Sequence, residues 1–209
     1  MTKRAFEIKD REKLIEFIMD ELIRKGIKST TMDSLAASLQ MSKRTLYEIF
    51  SNKEHMVEEA LKSFHNNISQ QYINIFKESS NIMEAIIKCI AHSRNLMSRA
   101  NVEFFRDIDD FYTDEKRKKE AMCRYAELEK LYIKGVEQGF FREGLDFRVQ
   151  CRILSIQMES LKRMEEIFPK DITLVEAYDA INIGFLRAIS THKGIEYLDN
   201  MSFDNNEKN

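Results

Sequence analysis

One proline and six glycines in 209 residues leave this chain almost without turn-forming residues. A β-sandwich or barrel needs a turn signal roughly every eight to twelve positions, so an all-β fold is excluded. The scarcity predicts an all-α chain of long, seldom interrupted helices. The same six glycines form neither GxGxxG nor GxxxxGK[ST], so neither phosphate-cradling loop is present. No HExxH occurs, and no Glu lies three residues before any histidine. His55 and Glu59 stand at i, i+4, two potential ligands without a third, and read as a solvated helix face. With no catalytic constellation, no metal set and no cofactor motif, the expectation is a protein that is not an enzyme. Cys89, Cys123 and Cys151 are too far apart for a CxxC pair and odd in number. They read as reduced thiols packed in helices of a cytoplasmic protein. No apolar run approaches a membrane span, and the charged start MTKRAFEIKDREK is no signal peptide.

Apolar spacing and cap residues divide the chain. Ile8, Leu14, Ile15, Ile18, Met19, Leu22 and Ile23 define a helix over 8–25, with Gly26 as the residue just past its end. Thr31 caps a short helix over about 32–39, with Met32, Leu35, Ala36 and Leu39 on its inner face. Ser42 caps a second over 43–49. Ser51 and Glu54 form a capping box opening a long helix to about 77. Further helices are predicted from Asn81–Glu84 to about 98, over 101–112, and from Thr113 to Gly139. Asp146 caps one over 147–168 that Pro169 stops, and Thr173–Glu176 opens one to about 192. The tail 199–209, rich in Asn and Asp, reads as disordered.

Two short helices joined by a tight turn and braced by an earlier helix make a helix-turn-helix. The first must cross the second steeply, which calls for small residues, here Ala36 and Ala37. The second must enter a major groove about 12 Å wide, so its outer face should carry compact polar and basic groups. Here that face is Lys43, Arg44, Thr45, Tyr47 and Glu48. Arg44 can take guanine bidentately and Lys43 can reach guanine or phosphate. Hydroxyls of Ser42, Thr45 and Tyr47 can bind phosphate oxygens, and Thr31 and Lys53 sit at helix N-termini that suit phosphate. The net charge of -2 conceals a division: residues 1–53 carry 11 basic and 8 acidic side chains, and the remainder 22 and 27. The other reading of this stretch is a helical hairpin with a solvated basic face.

Residues 26–57, GIKSTTMDSLAASLQMSKRTLYEIFSNKEHMV, resemble the DNA-binding domain of TetR-type transcriptional regulators. The resemblance rests on the Gly after the first helix, Thr30-Thr31-Met32-Asp33-x-Leu35-Ala36, Ser42-Lys43-x-Thr45-Leu46-Tyr47-x-x-Phe50, and Lys53-Glu54. It implies a homodimeric, ligand-responsive repressor on a palindromic operator. By motif match, Thr31, Ser42, Tyr47 and Lys53 would touch the DNA backbone, while Lys43, Arg44 and Thr45 would face bases or nearby phosphates. Gln40 departs from the family's usual Gly at the turn. The domains implied are 1–53 for DNA binding and 54–198 for regulation and dimerisation. The partners implied are double-stranded operator DNA, a second copy of the chain and a small-molecule effector. The alternative is a TetR-like DNA-binding protein controlled by a protein partner or by no effector.

In the C-terminal half, Leu154, Met158, Leu161, Leu174, Tyr178, Ile181, Phe185 and Ile189 recur at helical spacing. Leu154, Leu161, Tyr178, Ile181, Gly184 and Phe185 are the candidate dimer interface, with Gly184 admitting a close helix approach; the competing reading is a core stripe. Met97, Phe104, Phe105, Phe111, Tyr112, Met122, Tyr125 and Met158 suit an adaptable apolar pocket, or simply core. His92, Arg94 and Arg106 are candidates to orient an anionic ligand.

Overall fold

A computed structural model describes residues 8–108 and 114–201, with side chains described for 11–108 and 125–201. The architecture is helical, and among the described residues the one β feature is an isolated bridge between Phe141 and Ser190. No described helix is long and apolar enough to cross a membrane. The helices are α1 (Ile8–Lys25), α2 (Met32–Ser38), α3 (Lys43–Ile49), α4 (Lys53–Glu78), α5 (Ile82–Arg99) and α6 (Val102–Ile108). They continue with α7 (Asp114–Glu137), α8 (Phe147–Ser160), α9 (Met164–Ile167), α10 (Leu174–Ile189) and α11 (His192–Asn200).

The chain forms two compact units. The first holds α1, α2, α3, the part of α4 up to Gln71, and α6. Ile18, Leu22, Ile27, Leu35, Leu46, Phe50, Met56 and Val57 are fully buried, and Phe104 of α6 lies buried in the same unit. The expected boundary at residue 53 is therefore too early. The apolar face of α4 continues past it through Ala60 and Leu61, both buried, and residues 99–108 return to pack on α1. The second unit holds the rest of α4, most of α5, and α7 through α11, with α8 packed on α10.

Helix ends follow local chemistry. Gly26, at φ +86°, ends α1 by donating to the Leu22 carbonyl at 2.9 Å. The start of α4 is capped by Asn52, whose side chain accepts from His55 N–H at 2.8 Å, and not by the expected Ser51. The helix predicted over 147–168 breaks. Leu161–Arg163 tightens into a 3-10 turn before α9, with Leu161 and Met164 both buried. Phe168 is then extended before Pro169.

The last predicted helix also divides. Ser190 is extended, and its hydroxyl donates back to the Leu186 carbonyl at 2.7 Å. Thr191 then caps α11. Ser and Thr compete for backbone groups, so a Ser–Thr pair ends one helix and starts another. Asp199 and Asn200 belong to α11, with Asp199 ion-paired to Arg187, so the tail predicted from 199 starts too early. Residues 202–209 and Thr113 lie outside the described residues.

Candidate nucleic-acid interface

The first unit builds its exposed surface from caps. Thr31 and Ser34 cap α2 reciprocally: Thr31 Oγ1 accepts from Ser34 N–H at 3.0 Å, and Ser34 Oγ accepts from Thr31 N–H at 3.1 Å. At the far end, Met41 N–H donates to the Ala36 carbonyl and Gln40 N–H to the Ala37 carbonyl, a Schellman ending. Gln40 is the position in αL, at φ +51°, as the Gly-to-Gln departure predicts. Of the two small residues expected at the crossing, Ala36 is buried and Ala37 is exposed. Ser42 then caps α3, accepting from Thr45 N–H at 3.1 Å, with the two hydroxyls 2.8 Å apart.

The fold turns α3 so that Leu46 is fully buried while Lys43, Arg44, Tyr47 and Glu48 are exposed and Thr45 is half-buried. Tyr47 keeps 50% of its surface in solvent, a large aromatic left uncovered. Two cations meet carboxylates within the chain. Lys43 pairs with Asp33 of α2, and Arg44 Nε lies 3.0 Å from Glu48 Oε1. Both pairs are well exposed. Such pairs contribute about 0–1 kcal/mol, so a phosphate or guanine edge can displace the carboxylates. Lys53 stands at the first position of α4, and its ammonium donates to the Lys28 carbonyl at 3.2 Å, tying the start of α4 to the α1–α2 turn. Asp33 and Glu48 could be found from local charge spacing, whereas the turn's other partner, Asp107, lies 79 positions from Lys28.

Elsewhere in this unit, His55 and Arg11 share Glu59, the Arg11 contacts measuring 2.6 and 2.9 Å and the His55 contact 3.0 Å. Among the described residues no group of three potential metal ligands occurs.

The residues expected to line a pocket divide between the units. Phe104 and Phe105 belong to the first, edge to face at 5.4 Å, with Phe104 buried in its core. Met97, Tyr125 and Met158 belong to the second; Tyr125 donates to Glu129 and its ring tilts against Phe147. Phe111 and Tyr112, and the side chain of Met122, lie outside the described residues. Arg106 pairs with Glu103 on α6 at 2.5 Å. The second unit instead gathers polar groups from α4, α5 and α10. The Tyr72 hydroxyl meets that of Ser93, and the His92 ring stands perpendicular to Tyr72 at 6.0 Å. Arg94 donates to Asp179 Oδ2 at 2.8 Å, leaving Asp179 Oδ1 buried without a hydrogen bond. Burial pushes the Tyr178 phenol up to about 12 against the nearby Ser93 hydroxyl, and the Cys89 thiol also to about 12. Burial likewise raises Cys151 to about 11, so both thiols stay protonated.

The candidate dimer residues also separate. Leu161, Tyr178 and Ile181 are buried within the chain's own second unit, so a second copy could not cover them. Leu154 and Phe185 are half-buried, and Gly184 faces open space. The apolar side chains left exposed on α8 are Val149, Ile153 and Ile156, at 51%, 46% and 58%.

A capped helix pair with an exposed basic second helix, braced by α1, defines a helix-turn-helix DNA-binding unit. Residues 14–60 match the model of the family described as bacterial regulatory proteins, tetR family. The repressor KstR2 of Mycobacterium tuberculosis is 23% identical over 155 residues, covering 69% of this chain and 75% of that protein. The regulator YdeS of Bacillus subtilis is 26% identical over 140 residues, covering 65% and 69%. A solved structure of a regulator from Saccharomonospora viridis in complex with choline superposes with a TM-score of 0.66 at 16% identity, over 88% of this chain and 99% of that one. Residues 14–60 thus match the tetR-family DNA-binding domain, and the chain as a whole is similar to TetR-type transcriptional regulators.

Proposed function

We propose that this regulator is a homodimeric repressor that places α3 of each copy in the major groove of a palindromic operator and responds to a small molecule. The carrying observation is the exposed polar and basic face of α3, held by caps at both ends of α2 and at the start of α3. In this reading Arg44, Lys43 and Thr45 face base edges or nearby phosphates. Thr31, Ser42 and Tyr47 meet the DNA backbone, as does Lys53 once released from the Lys28 carbonyl. Basic heads of this kind on an otherwise acidic chain orient toward DNA.

Dimerisation is assigned to the exposed stripe Val149, Ile153 and Ile156 with Ala180, Gly184 and Ala188, which recur four apart on the outer face of α10. Exposed apolar side chains recurring along one helix face call for a partner, and α8 packs on α10, so two copies can pair these helices. The effector is assigned to the polar group of Tyr72, His92, Ser93, Arg94, Tyr178 and Asp179, where an orphaned carboxylate oxygen can accept a donor. Selection of bound DNA from a random pool, repeated with candidate ligands and paired with thermal-shift screening, tests the whole reading. A two-fold symmetric consensus and a ligand that both stabilises the chain and changes operator affinity are expected. A stabilising ligand without effect on DNA would remove the regulatory part.

A further inference from the structure

Helix α6 supplies the DNA-binding unit with a buried carboxylate. Asp107 is 3% exposed, and its Oδ2 accepts from Lys28 N–H at 2.7 Å while Oδ1 lies 3.6 Å from Lys28 Nζ. The Lys28 carbonyl accepts from Lys53 Nζ at 3.2 Å. Both main-chain polar groups of Lys28 are thus held, one by α6 and one by the first turn of α4. Two further observations show the turn shaped around α6. Gly26 is in αL, and a Cβ there would stand 3.2 Å from both Asp107 Oδ2 and Glu103 Cβ. Asn101 N–H donates to the Ile23 carbonyl at 2.9 Å, anchoring the start of α6 to the end of α1.

Burying a carboxylate is costly unless hydrogen bonds satisfy it, and an apolar side chain would serve for packing alone. What the carboxylate adds is a fixed turn, and three residues after Lys28 stands Thr31, the cap that starts α2. We propose that Asp107 is a positioning residue for DNA binding: by gripping the Lys28 amide it fixes the α1–α2 turn, and through it the setting of α2 and α3 on the operator. The proposal rests on the reading of α3 as the recognition helix. In sequence, α6 is flanked on both sides by residues of the second unit. The turn is therefore held by a piece of the chain's C-terminal part.

The test compares the full-length chain with Asp107→Leu, Asp107→Ala and Asp107→Asn, measuring affinity for the selected operator and hydrogen exchange of the Lys28 amide. Leucine keeps the volume and loses the acceptor, and it stands in should alanine fail to fold. Asparagine keeps an acceptor and loses the charge. Asp107→Leu is expected to weaken operator binding by about tenfold or more and to expose the Lys28 amide. Asp107→Asn should stay within about threefold of the parent on operator affinity. Unchanged affinity in Asp107→Leu, a Lys28 amide that stays protected there, or equal losses in Leu and Asn would each overturn the proposal. If the parent chain selects no DNA, the recognition-helix reading itself fails and the proposal with it. A parent that binds alongside an unaffected Asp107→Leu refutes the positioning role alone.

Discussion

Gly135 and Gly184 both stand inside helices, where glycine costs about 1 kcal/mol against alanine, yet the structure treats them oppositely. A Cβ on Gly135 would sit 2.0 Å from the Phe141 ring, so the residue makes room for an aromatic that also stacks on Tyr132. Gly184 has nothing within 4 Å within its own chain. Gly135→Ala should therefore lower unfolding stability by about 1–3 kcal/mol through overpacking, read by thermal or denaturant melts. Gly184→Leu should leave the fold intact and raise the dimer dissociation constant; an unchanged constant would remove Gly184 from the interface. On the recognition face, Arg44→Ala should cost about 1–3 kcal/mol of operator affinity and relax selection at one base position. An equal loss on every sequence would make Arg44 a phosphate contact.

At the scale of elements, caps explain most boundaries, and one of them carries a pH signature. The start of α5 is held by Glu84, whose carboxylate accepts from Ser80 N–H at 2.8 Å and pairs with Lys88 at 2.6 Å. The hydrogen bond from Lys88, with those from Ser80, holds its carboxyl down at about 2, against the ordinary 4.5. A carboxyl lowered on folding stabilises the native state above its ordinary value, and that contribution fades as pH falls from about 4.5 toward about 2. Glu84→Gln should flatten the stability profile in this window while changing it little below, as followed by acid titration of helical signal.

The helices themselves were legible because apolar spacing and cap residues are local: α1 and α3 end where their spacing and caps say. The breaks at 161–163 and 190–191 were not. A periodic run such as Leu154–Met158–Leu161 looks the same in sequence whether or not the backbone tightens at its end. The capping box at Ser51 misled by one position because Asn52 offers a better acceptor to His55 N–H.

At the scale of the molecule, function follows from an uneven charge distribution and from which apolar faces remain open. Operator affinity should fall steeply with salt, the logarithmic slope reporting about 0.9 per phosphate neutralised, and Lys43→Ala should reduce that slope by about 1. A flat dependence would contradict groove binding. Ile153→Asp, which puts a charge into the exposed stripe of α8, should yield monomers by sedimentation while the far-ultraviolet helical signal is kept. A variant that stays dimeric would move the interface elsewhere.

What residue order alone determined were the features carried by neighbours along the chain. These are the all-helical class, the caps, the strained Gln40 turn and the polar face of α3, because hydrogen bonds three to five residues apart and a 3.6-residue period are written locally. What only the folded chain decided were the choices among equivalent apolar and charged residues. Leu161, Tyr178 and Ile181 entered the core while Val149, Ile153 and Ile156 stayed outside, although all recur at helical spacing. Phe104 went to the first unit, and Asp107 reached a backbone amide 79 positions away. Such outcomes depend on which surfaces the packing of distant helices removes from water, and spacing along one helix carries no record of that.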